Sequence, residues 1–130
     1  MVQLPRLRAV ALITLGAVVM SCGGSSTSPS NTTPPVSTNT ITITSSGVSP
    51  KSVQIAVGSR VLFVNNDSRS HNMTSDPHPE HDQCPEINQV GFLSAGQSRE
   101  TGNLVTARTC GFHDHDDPFT QSLQGQIVIR

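Results

Sequence analysis

Cys110 and His113 are separated by Gly111 and Phe112. That spacing lets a thiolate and an imidazole leave one tight turn toward a common point, and a soft sulfur beside a ring nitrogen is metal-ligand chemistry. All 5 histidines fall in two segments, His71 with His78 and His81, then His113 with His115. The acids Asp76, Glu80, Asp82, Glu86, Asp114, Asp116 and Asp117 lie in the same two segments. A cysteine ending a strand is often only a small buried apolar residue, but the titratable neighbours of Cys110 argue for a ligand. His115, close after His113, is the first reserve ligand. His78 and His81, set among Pro77, Pro79 and Glu80, read as solvated loop residues, and Met73 reads as core.

The segments that must position these residues are short and alternate in polarity. Ile41 and Ile43, then Val53, Ile55 and Val57, are apolar at every second position and bounded by turn residues, which predicts half-buried strands. Val61 to Val64 predicts a more buried strand, followed by a loop at Asn65-Asn66-Asp67. Further strands are expected from His71, over Gln89 to Leu93, Ser98 to Gly102 and Val105 to Cys110, and finally over Gln126 to Ile129. Many short strands without a helical period predict an all-β antiparallel sandwich or barrel. No phosphate loop, nucleophile elbow or paired-carboxylate pattern is present, and an enzyme is not expected.

Residues 1–22 read as an address. Arg6 and Arg8 precede an apolar run from Ala9 to Met20 that is too short for a membrane span, as in an export signal. Val19-Met20-Ser21-Cys22 resembles the lipobox of bacterial lipoproteins, which implies a lipid anchor at Cys22 and a location in the periplasm or outer cell envelope. Met20 is an unusual occupant of that pattern, so a plainly cleaved signal is the alternative. Residues 23–39 are nearly all Gly, Ser, Thr, Asn and Pro, a tether that buries too little apolar surface to offset ordering. Residues 40–130 suffice for one domain. Loss of Arg6 and Arg8 with the leader leaves 6 basic side chains against 9 acidic ones, and the chain has 0 Trp and 0 Tyr. An acidic domain lacking those stacking platforms is not expected to bind nucleic acid.

Apart from Cys22, the only thiols are Cys84 and Cys110. In an oxidising compartment such a pair invites a disulfide, which would consume the thiolate a metal needs. The alternatives are a free Cys84, or Cys84 as an extra ligand with His78 or His81.

Val61-Leu62-Phe63-Val64-Asn65-Asn66 with His71-Asn72 resembles the first copper-ligand segment of the plastocyanin family. Ser52-Val53-Gln54-Ile55-Ala56-Val57-Gly58 is similar to the strand before it, Cys110-Gly111-Phe112-His113 to the Cys-x-x-His ligand loop, and Gly125-Gln126-Ile127-Val128-Ile129 to the last strand. The resemblance implies a cupredoxin-like Greek-key β-sandwich holding one copper ion with His71, Cys110 and His113. It further implies that Asn72 ties the ligand loops together by hydrogen bonds. A trigonal thiolate-imidazole site suits electron transfer because neither copper oxidation state must rearrange much to occupy it.

The chain departs from that pattern where the family has a weak axial methionine. Counting back from Gly125 reaches Leu123, and Asp114 to Ser122 lengthen the loop. The axial position is therefore empty or taken by Gln121, Gln124 or His115. The reading that follows is an electron carrier of the cell envelope, with a redox partner such as a cytochrome or oxidase steered by the acidic residues. Two alternatives stand beside it: a copper-binding or delivery protein without fast redox cycling, and a metal-free binding module held by a Cys84–Cys110 disulfide.

Overall fold

A computed structural model of the protein describes residues 35–130. The leader, Cys22 and most of the tether lie outside the described residues. Nine strands follow in order: β1 Thr40–Thr44, β2 Gly47–Ser49, β3 Ser52–Ile55, β4 Leu62–Asn65, β5 His71–Ser75, β6 Gly91–Leu93, β7 Ser98–Glu100, β8 Thr109–Asp114 and β9 Gly125–Ile129. Two short 3-10 turns, Ile87–Gln89 and Gln121–Leu123, precede β6 and β9.

The strands form two sheets, one ordered β2-β1-β4-β7 and the other β3-β9-β8-β5-β6. Both are mixed rather than purely antiparallel, because β1 runs parallel to β4 and β3 parallel to β9. The alternation in the sequence puts Ile41, Ile43, Val53, Ile55, Phe63, Met73 and Ile127 into the core between the sheets. Phe63 and Phe112 meet across it edge to face, with ring centroids 5.1 Å apart. Aromatic pairs prefer that arrangement, which sets a positive ring edge against a negative face.

Besides a later start of β6 at Gly91 and of β8 at Thr109 and an earlier end of β7 at Glu100, three boundaries differ from expectation. Sheet bonding starts before Thr40, since Val36 donates its N–H to Ser52 and accepts the N–H of Gln54. Val57 is 49% exposed, because β3 ends at Ile55 and the chain turns there. The third difference matters most for function. The strand expected to end at Cys110 runs on to Asp114, so His113 stands on a strand and not in a turn.

Candidate metal centre

Pairing between β5 and β8 sets Met73 opposite Asp114, Thr74 opposite His113 and Ser75 opposite Phe112. Directly opposed residues share a sheet face, and successive residues alternate between faces. Cys110, Phe112 and Asp114 therefore point inward with His71 and Met73, while Gly111 and His113 point outward with Thr74. Of the three ligands implied by the resemblance, His113 is thereby set on the opposite face from His71 and Cys110.

His71 is 1% exposed and lies between two buried carboxylates. Its Nδ1 is 2.7 Å from Asp114 Oδ2 and its Nε2 3.1 Å from Asp67 Oδ2. Both ring nitrogens are thus engaged by carboxylate oxygens. The His71 bond and the backbone N–H of Ser68 and Arg69 hold the Asp67 carboxyl below its usual value, with burial opposing them.

Cys110 is bonded to Cys84, with Cα atoms 5.9 Å apart, and both are wholly buried. Its sulfur is not available to a metal, which corrects the expected thiolate ligand. The same bond removes Cys84 from the reserve ligands. Cys110 also lies four residues along β8 from Asp114, the partner of His71, a separation of about 13 Å at strand spacing. Leu123, counted to the axial position, is a core residue 3% exposed. Asn72, expected to tie the ligand loops together, bonds through its backbone to the end of the neighbouring strand: its N–H donates to Asp114 Oδ1 and its carbonyl accepts the N–H of His115.

On the outer face a different set converges. The segment between β5 and β6 folds back over β8 and carries His78 and His81 to His113; one nitrogen from each of these three lies within 4.8 Å of the others. His81 Nε2 is 3.2 Å from His113 Nε2 and 3.3 Å from His115 Nδ1. His115 thus stands at the rim of the cluster, its ring centroid 5.2 Å from that of His78. His78 and His81 were expected to be solvated loop residues. His78 is exposed, but His81 is partly covered and His113 is 2% exposed.

Hydrogen bonding acts on one of these rings and burial on another. His113 Nδ1 is 2.5 Å from Asp76 Oδ1, which places the proton on Nδ1 and leaves Nε2 as the acceptor, an orientation common to metal-bound histidine. Asp76 reaches across because Gly111 has no side chain; a Cβ there would collide with the carboxylate. Burial pushes the pKa of His81 down, and the neighbouring His113, His115 and His78 add to the effect.

Nitrogens bound about 2.0–2.1 Å from a tetrahedral ion stand about 3.3 Å from one another. The 3.2 Å from His81 Nε2 to His113 and the 3.3 Å to His115 at the rim match that separation, and a nitrogen of His78 lies within 4.8 Å of His81 and His113. An all-imidazole set suits copper, zinc or nickel. The donor set therefore fits a first-row ion on the outer face and does not fit a thiolate-bound copper between the sheets.

No protein-family model matches the sequence, and no curated protein does. Solved structures are similar. A purple cupredoxin from Nitrosopumilus maritimus shares 19% identity over 72% of this chain and 100% of that one, with a TM-score of 0.56. Plastocyanin from Dryopteris crassirhizoma shares 16% identity over 70% of this chain and 99% of that one, TM-score 0.55. A Cu(I) amicyanin mutant shares 16% over 70% and 80%, TM-score 0.56. Identities this low speak to the path of the backbone and not to its chemistry. With its strand order and these neighbours, the described chain is a β-sandwich of the cupredoxin fold.

Proposed function

We propose that this protein binds one copper ion through His78, His81 and His113, with His115 at the rim, and holds it in exchangeable form for storage or delivery. The convergence of three imidazole nitrogens within 4.8 Å carries the reading. Copper is preferred to zinc because the Irving–Williams order favours it at nitrogen sites, and because the fold is one that the solved neighbours use around copper. His78 and His115 are exposed, so the ion would be open to a receiving ligand.

The electron-carrier reading requires a free Cys110 and a histidine pair on one side of the sheet. The disulfide and the opposed directions of His71 and His113 count against it. The lipid anchor at Cys22 and an envelope location remain part of the proposal, as they keep such a protein where copper enters. Glu80, Asp82, Asp116 and Asp117 are exposed near the cluster, and a partner approaching them would present basic side chains.

Cu(II) titration of the purified, disulfide-intact protein tests this. One equivalent should bind with nitrogen hyperfine structure in the paramagnetic resonance spectrum and only weak ligand-field absorption. An intense sulfur-to-copper charge-transfer band, or no binding, would overturn it.

A further inference from the structure

We infer that the Cys84–Cys110 disulfide and Asn88 are positioning residues for the metal site, holding the segment that bears His78 and His81 in register with His113. The inference rests on the histidine-cluster reading above and adds to it what fixes the cluster.

Two histidines on a connecting segment would ordinarily lose much conformational freedom on capturing an ion, and that loss weakens binding. Here the segment is already pinned. The disulfide joins Cys84, three residues after His81, to Cys110, three residues before His113. Around it, Gln83 Oε1 accepts the N–H of Gly111 at 2.8 Å and the N–H of Asp76 reaches the carbonyl of Gly111 at 3.1 Å. The N–H of Cys84 donates to Ser75 Oγ at 2.8 Å. Within the segment, His81 donates its N–H to Pro77 at 2.7 Å.

The backbone of His81 stands at φ 54, the left-handed region that residues with a Cβ adopt infrequently. Such a conformation persists where its surroundings over-determine it. Asn88 supplies that hold: its Nδ2 donates to the carbonyl of His81 at 2.8 Å while its Oδ1 accepts the N–H of Ser75 at 2.9 Å. One side chain thus bridges the ligand-bearing segment to β5. Both sulfurs are wholly buried, so the disulfide works as a permanent clamp.

The test measures Cu(II) and Zn(II) affinity of the full chain by competition with a chromophoric chelator, with the paramagnetic resonance spectrum of the copper form. The Cys84→Ala/Cys110→Ala double variant keeps every histidine and should bind at least tenfold more weakly, with fewer nitrogens in its spectrum. Val61→Ala, a core truncation just before β4 of the other sheet, lowers the melting temperature without touching the cluster and should keep wild-type affinity. Asn88→Ala leaves disulfide and ligands intact and should weaken binding several-fold; it decides the matter if the double cysteine variant does not fold. Wild-type affinity and spectrum in Asn88→Ala and in any folded double variant would overturn the inference while leaving the histidine site standing. Absence of binding by the wild-type protein would overturn both.

Discussion

His113 and Asp114 are consecutive on β8, yet they serve opposite faces of one sheet: His113 meets Asp76 outside, and Asp114 meets His71 inside at 2.7 Å. The strand period of two makes this unavoidable once β8 extends past Cys110. It divides the titratable residues into an outer cluster of imidazoles suited to an ion and an inner His71 whose nitrogens are both occupied by carboxylates.

The inner group should matter for stability and not for the metal. His71→Ala leaves Asp67 and Asp114, 6% and 2% exposed, without their shared partner. Leaving a buried hydrogen-bonding group without its partner costs about 1–3 kcal/mol, to be read from urea denaturation. The copper spectrum of the folded fraction should be unchanged. A shifted spectrum would return His71 to the ligand set.

Asp67 gives the same group a pH signature. Its carboxyl lies below the usual 3.8 in the folded protein, chiefly through the bond to His71. A lowered folded value contributes stability that is present in full above the unfolded value and disappears as pH falls through the folded one. Denaturation of wild type and Asp67→Asn should therefore differ at pH 6 and converge in strong acid. A constant difference across that range would sever the link.

On the outer face, Asp76→Asn keeps the shape of the carboxylate but not its charge, and loosens the choice of Nδ1 for the His113 proton. Groups that orient a metal-bound histidine typically change affinity about 10–100-fold. Gly111→Ala should act in the same direction by pushing the Asp76 carboxylate out of its place. Chelator competition on both variants checks this, with His113→Ala as the reference for complete loss of a ligand.

Much of the sandwich was legible because Ile41 with Ile43 and Val53 with Ile55 alternate cleanly into a core. The site was less so, for two physical reasons. Cys110, Phe112 and Asp114 continue an alternation that the Cys-x-x-His spacing masks, so that spacing predicts a strand ending at Cys110 where β8 runs to Asp114. His78 and His81 sit among prolines and acids, and nothing local reveals that His81 meets a ring 32 residues away. The signal that was available lay in the cysteines. A Cys84–Cys110 bridge limits how far apart the residues three positions outside it, His81 and His113, can lie. Asp76 carried no such signal, because its role depends on the missing side chain of Gly111.

Leu123 offers a clean check on where the metal sits. The family resemblance put it in the axial position, but it is packed in the core. Leucine and methionine have similar volumes, so Leu123→Met should change stability by less than about 1.5 kcal/mol. It should leave copper affinity and spectrum as they are. A new sulfur-to-copper band or a changed affinity would place the ion between the sheets after all.

Proton competition supplies the last prediction. Imidazole binds metal only when neutral, and a free histidine protonates near pH 6.5. Burial, with His113, His115 and His78 close by, lowers the pKa of His81, so the central ring stays ready at a pH where a solvated histidine has begun to charge. Apparent copper affinity should be nearly level above about pH 7 and fall steeply between about pH 6.5 and 5. In the metal-free protein, the His81 ring resonances should titrate with a midpoint below that of free histidine. A midpoint at or above the ordinary value would mean that the ring is not enclosed by its neighbours, and the preformed cluster would lose its electrostatic basis.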